Sequence, residues 1–228
     1  MRPKSVSLWG RGTRTSEAEQ AQAVVALSIG ERQRLERRAR QLAVWGNAWH
    51  LVEFGIAIAA GLYAGSIALI AFGADSLIEL MAGGDIYWLF TGGRGSSETA
   101  ERRAQVLIAL SFFVLAAYVG VEATRSLILA EKPEASWVGI ALAAVTAPTM
   151  HLLAMAKRRV GLRLGSAATV HEAEENQICA YLSIALLVGL LLNALFGIWW
   201  ADPVAALVIA AVAVNEGVES WRGEECGD

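Results

Sequence analysis

The sequence predicts an all-α membrane protein with six transmembrane helices and both termini in the cytoplasm, and three observations predict it. The first is composition: 55% of the 228 residues are hydrophobic, 18% are charged and the mean hydropathy is +0.45. That leaves more apolar surface than one soluble core could bury. The second is distribution, because the apolar residues gather into six blocks, each long enough at 1.5 Å per residue to cross a ~30 Å hydrocarbon core. The third is charge. Of 19 lysines and arginines, 17 fall on one side of a six-span arrangement, and basic residues accumulate in loops that are not translocated.

Residues 1–40 read as a basic, largely disordered N-terminal segment that ends in an amphipathic helix. It carries Arg2, Lys4, Arg11, Arg14, Arg32, Arg34, Arg37, Arg38 and Arg40. No uncharged apolar stretch with a small-residue cleavage site marks it as a secretory signal peptide, and its 31–40 portion is expected to lie against anionic headgroups. The transmembrane domain, 41–221, opens with span one at 42–60. Span two covers 67–90, and the loop behind it holds Arg94, Arg102 and Arg103. Span three covers 106–129; Glu122 and Arg125 near its outer end are three apart and should form a local ion pair. Arg125 and Lys132 are the two basic residues left on the outer side.

Span four covers 137–156 and should be kinked by Pro148, with His151 beyond the kink. Lys157, Arg158, Arg159 and Arg163 follow it in the next inner loop. Span five, 168–199, is longer than a crossing requires, so its Glu-rich start should reach into water or a polar cavity. Span six covers 203–218, and Arg222 begins a short cytoplasmic tail, 222–228. Small residues such as those at 57–61 and 210–213 favour close helix–helix approach in lipid. A five-span or seven-span reading would split the basic clusters between the two sides.

Two cysteines, Cys179 inside span five and Cys226 near the end, should sit at different depths and give no disulfide framework. Gly92, Gly93, Gly95 and Ser96 make a flexible loop without the lysine and flanking strand of a phosphate-binding loop.

The chemistry lies within the spans, where an ionisable group costs about 2.5–3.5 kcal/mol on insertion scales. Asp75 and Glu79 in span two are four apart and share one helix face. They pair with a base such as His50 or Arg125, face a small wet cavity, or hold a cation; no Lys or Arg lies in the core of their own or an adjacent span, which favours the cation. In span five His171, Glu175 and Cys179 recur at i, i+4 and i+8 on one stripe. Imidazole, carboxylate and thiolate together suit zinc better than magnesium or calcium. A solvated helix start is the alternative for His171, Glu172 and Glu174, and a packed thiol for Cys179. By helical rise, Asp75 should lie level with Cys179, and Glu79 with Glu175. His50 and Glu53 in span one, three apart, read as supporting groups, a proton path or packing. Asp85, toward the inner end of span two, reads as a headgroup-level residue or an aid to cation access.

Gly65-Ser66-Ile67-Ala68-Leu69 with Asp75-Ser76-Leu77-Ile78-Glu79 resembles the second span of the cation diffusion facilitator transporters. The stretch from Ser166-Ala167-Ala168 through Glu172-Ala173 to Cys179 is similar to that family's fifth span. Trp199-Trp200-Ala201-Asp202-Pro203 is similar to its outer turn before the sixth. The resemblance implies one divalent ion, commonly zinc, between the second and fifth spans, with a fifth-span ligand pair at Glu175 and Cys179 or, in the other register, at His171 and Glu175. The first register agrees better with the depths, and in it neither member keeps the residue type of the family's usual histidine and aspartate; the second keeps only the histidine, at His171. The resemblance also implies a compact member without the C-terminal cytoplasmic domain, whose homodimer would form through the transmembrane helices.

The expected function is therefore secondary transport of a divalent cation, most simply zinc, by proton antiport across the plasma membrane. The ligands Asp75, Glu79, Glu175, Cys179 and His171 would be supported by Glu172, Glu53, His50 and Asp85. Carboxylates and a thiol release protons when they bind metal, which gives exchange a physical route. The alternative is a metal-binding membrane adaptor or sensor that does not transport. An enzyme is not expected, because no nucleophile, base and orienting group gather at a membrane–water boundary. The expected partners are the lipid bilayer, the divalent cation as substrate and protons; no organic cofactor and no nucleic acid are expected.

Overall fold

The computed structural model describes residues 29–91 and 98–222, apart from the side chains at 29, 82–91, 98–105 and 167–168. The N-terminal segment before 29, the glycine loop at 92–96, Cys226 and the tail from 223 lie outside the described residues, as does the side chain of Asp85. Among the described residues six helices follow one another: α1 (Ile29–Ala64), α2 (Ile67–Thr91), α3 (Glu98–Leu129), α4 (Trp137–Leu164), α5 (Ala167–Phe196) and α6 (Ala201–Arg222). Among the described residues there is no strand. Five of the helices, all but α2, are long and apolar enough over their described residues to cross a membrane. α2 has 25 residues, a length of about 37 Å, which also exceeds the hydrocarbon thickness.

Four boundaries differ in ways that matter from the sequence reading. α3 begins at Glu98 rather than 106 and so takes in Arg102 and Arg103, which the sequence placed in a loop. α1 runs without a break from Ile29, so the basic 31–40 stretch is the inner third of the first span helix rather than a separate helix lying flat. Nothing between Glu31 and Leu42 breaks a helix, and five arginines there are good helix formers. α4 continues to Leu164 and takes in Lys157, Arg158, Arg159 and Arg163, which the sequence placed in a loop. It stops at Gly165, whose φ of 64° is open to glycine without strain. α5 ends three residues short of the expected 199, because Gly197 (φ 65°) donates its N–H back to Asn193 and Leu192.

The helix pairs α1–α2 and α4–α5 are hairpins built on the same turn. Gly61, Gly65 and Ser66 recur at a constant offset of 100 as Gly161, Gly165 and Ser166. Ser66 N–H donates to Gly61 O at 3.0 Å and Ile70 N–H to Ser66 O at 3.2 Å; Ser166 and Val170 repeat both bonds at the same lengths. Gly65 and Gly165 share a φ of 64°. A Cβ on Gly61 would come within 2.9 Å of Ile70 N, and one on Gly161 within 3.0 Å of Val170 N. The chain therefore carries two copies of one hairpin, separated by the odd helix α3, which makes the second copy enter the bundle from the opposite side.

The outer end, remote from the basic clusters, is closed. Leu69, Phe72, Leu186, Leu190 and Ile209 are fully buried or nearly so. Gly139 of α4 lets Leu69 and Leu190 approach to where its own Cβ would lie, 2.7 and 3.1 Å away. Asp202, 1% exposed, accepts from Ser66 Oγ at 2.5 Å and from Ala68 N–H at 3.3 Å. Its carboxylate thus satisfies the first turn of α2, where the helix dipole favours a negative charge, and pins the start of α6 to the start of α2. Asn193 Nδ2 bonds Pro133 O at 3.0 Å, and Glu134 N–H bonds Ala64 O at 2.8 Å.

Candidate metal site

α1, α2 and α5 meet halfway along the bundle, and their polar residues point inward together. His50 of α1 stands at the centre of one group. Its Nδ1 lies 3.1 Å from Glu53 Oε2 and 3.0 Å from Glu79 Oε2, and its Nε2 lies 3.2 Å from Asn176 Nδ2. Asn176 also donates toward Met150 Sδ at 3.5 Å. His50, expected as a supporting residue, is a junction for three helices. The Glu79 contact is at ion-pair distance, and among the described residues Glu53 Oε1 has no hydrogen-bond partner. Buried carboxylate oxygens are rarely left so.

Cys179, fully buried, completes this group: one ligand atom from each of His50, Glu79 and Cys179 lies within 4.8 Å of the other two. A tetrahedral ion bound at ~2.0–2.3 Å would bring such atoms to about 3.3–3.8 Å, a contraction of about an ångström. The sequence reading set Asp75 level with Cys179, and Glu79 level with Glu175. The pairing of Glu79 with Cys179 shifts this by one turn, for a reason the rise arithmetic omitted. Helical side chains lean toward their own N-terminus, so Glu79 reaches outward and Cys179, on the oppositely directed α5, reaches inward. In the two hairpin copies Asp75 corresponds to Glu175 and Glu79 to Cys179 by the same offset of 100. Equivalent positions meet, as they must near a two-fold axis.

On the inner side of this group lies a cavity of about 20 Å³, above the ~10–15 Å³ that one water needs. Asp75, Glu79, His171 and Glu175 line it, together with Glu216, Glu219 and Ser220 of α6. Asp75 is 4% exposed. His171 Nε2 lies 3.5 Å from Glu175 Oε1, and both are partly exposed at the inner mouth. The five expected ligands therefore divide, with Glu79 shared: Cys179 joins the closed group, and Asp75, Glu175 and His171 line the cavity leading to it.

Glu172 has another partner. Its carboxylate lies 3.1 Å from Lys157 Nζ, and Lys157 is buried because α4 extends past the expected boundary. His151 bonds Gln177 at 2.8 Å on an exposed face, and Glu122 pairs with Arg125 at 3.0 Å as expected. Asn176, Lys157 and Glu216 were missed by the sequence reading. Glu216 stands inside the apolar block 203–218, where the argument applied to Asp75 applies equally.

A family model for the cation efflux transmembrane domain matches residues 48–222. The chain belongs to the cation efflux family. It is thus a cation diffusion facilitator, an integral, all-α membrane protein and a metal-cation transporter by family rather than an enzyme. The match starts two residues before His50 and runs to the end of α6, so it covers every residue of the transporter's candidate site. Comparison with curated proteins gave no match.

Proposed function

We propose that the transporter carries zinc across the plasma membrane in exchange for protons, and that the ion is held around Glu79. One observation carries this reading: a buried carboxylate oxygen of Glu79 lies 3.0 Å from the His50 imidazole, and Glu79, His50 and the buried Cys179 thiol bring ligand atoms within 4.8 Å of one another. The neighbourhood is rich in anions. Glu53 and Glu79 face His50, Asp75 and Glu175 line the adjoining cavity with His171, and the nearby buried cation, Lys157, is engaged by Glu172. A divalent ion would supply the missing positive charge. Nitrogen, sulfur and oxygen donors in one set favour zinc or cadmium over magnesium or calcium.

The packed outer end and the cavity at the inner end describe a carrier open toward the side of the basic clusters, which the positive-inside rule makes the cytoplasm. Zinc would arrive past His171 and Glu175, and its binding would expel protons from the carboxyl and thiol groups. Zinc flux into dye-loaded proteoliposomes, driven by an opposing proton gradient, tests the reading. Flux that needs the gradient and vanishes in Glu79→Ala is expected. Tight binding without flux would instead make the protein a metal-binding adaptor or sensor.

A further inference from the structure

Away from the carboxylates, the inner ends of α1 and α4 bound a second cavity of about 940 Å³, at the upper end of the ~300–1,000 Å³ usual for ligand sites. The two helices touch at Gly46, where an added Cβ would lie 3.2 Å from Lys157 Nζ and 3.3 Å from Leu153 Cδ2. On the inner side of that contact they leave room between them. Leu35, Leu42 and Val160 form the apolar lining, and Arg38, Arg159 and Arg163 stand around it. Among the described residues no carboxylate lines the cavity. Among the described ion pairs, Arg32 is matched by Glu36 and Lys157 by Glu172, whereas none includes any of these three arginines. Trp45 and Leu162 at its edge are 70% and 66% exposed.

We propose that this cavity binds the headgroup of an anionic phospholipid from the inner leaflet. Guanidinium groups present paired donors that match a phosphate, and three of them from two helices converge where no acidic side chain of the described residues lines the cavity. The cavity sits at the inner end of the spans, where headgroups lie and where anionic lipids concentrate. Trp45 is an aromatic of the kind found at the membrane–water boundary, and with Leu162 it offers an apolar wall for the start of the acyl chains. A free phosphate would use the arginines and leave that wall unused. The occupant is therefore a lipid, and it ties α1 to α4 on the side where the carrier opens.

The test uses the full chain in zwitterionic micelles with phosphatidylglycerol, phosphatidylcholine or inorganic phosphate added, read by native mass spectrometry. Phosphatidylglycerol should be retained, and phosphatidylcholine should not. The variant Arg38→Gln/Arg159→Gln/Arg163→Gln should bind it about tenfold or more weakly. Arg34→Gln/Arg37→Gln/Arg158→Gln removes as many charges from positions that do not line the cavity and should bind as the parent does. A photoactivatable phosphatidylglycerol should also label the unaltered protein within 35–45 and 156–163, a readout that needs no variant to fold. Equal losses in the two variants, retention of phosphatidylcholine, displacement by millimolar phosphate, or label spread over other segments would each overturn the proposal.

Discussion

Replacing Glu79 by glutamine keeps the side chain's shape and removes one negative charge from the point where α1, α2 and α5 meet. Glu79 Oε2 lies 3.0 Å from His50 Nδ1, and Glu79 shares a 4.8 Å group with Cys179, so the change removes one donor of a candidate coordination sphere. Interactions of a charged group in such a setting are worth about 1.5–3 kcal/mol, which predicts zinc binding weaker by about 10- to 150-fold. A second effect follows from proton competition. Protons and zinc compete for the same lone pairs, so affinity should fall as pH falls, and the variant should lose up to about one proton from the slope of log affinity against pH. Calorimetric titration with zinc in detergent between about pH 5.5 and 7.5 reads both quantities. A thermal melt of the metal-free variant controls for folding, and it should be unchanged or higher because a buried charge has gone. Zinc affinity independent of pH in the parent, with the same slope in Glu79→Gln, would remove these carboxylates from the coupling site.

Cys179→Asp should shift the preference from zinc and cadmium toward manganese, because thiolate favours soft ions and carboxylate hard ones; unchanged ratios in a competition assay would leave the thiol with packing alone. Asp202→Ala leaves the Ser66 O–H donor and the Ala68 N–H without their acceptor and should cost about 2–4 kcal/mol of stability, whereas Asp202→Asn should retain most of it; equal thermal shifts for the two would refute the capping role. In a Cys226→Ser background, a cysteine at Glu134 should be labelled from outside intact cells and one at Arg158 should not. Glu134 is preferred to Ser136 because Ser136 is buried as the α4 cap.

The helices were legible because each apolar block is long and its breaks are marked by Gly65-Ser66, Gly165-Ser166 and Gly197. Basic residues set the expected sidedness, but they misled at three ends. Arginines in 31–40 read as a separate surface helix, and Arg102, Arg103 and the basic run at 157–163 as loop, yet all are sound helix formers, and here they belong to α1, α3 and α4. Asp75, Glu79, Glu175 and Cys179 stood out as ionisable groups inside apolar blocks. Their pairing across helices did not, because it depends on which way each side chain leans, and that follows from helix direction rather than from spacing. His50 was visible as a polar residue in span one, but its contact with Glu79 joins positions far apart in the chain. The offset of 100 between Gly61, Gly65, Ser66 and Gly161, Gly165, Ser166 is a property of the sequence. Applied to Glu79, that offset alone selects Cys179 as its counterpart.

The bond between Asp202 and Ser66 also sets a lever. It fixes the outer tips of α2 and α6 to each other, while Glu79 lies 13 residues further along α2, about 20 Å from that point. A tilt of about 10° about the pin would sweep Glu79 through about 3–4 Å and leave the tip where it was. Metal–ligand bonds are near 2 Å and tolerate only a few tenths. A rotation too small to disturb the outer packing is thus enough to make or dismantle the cage around an ion.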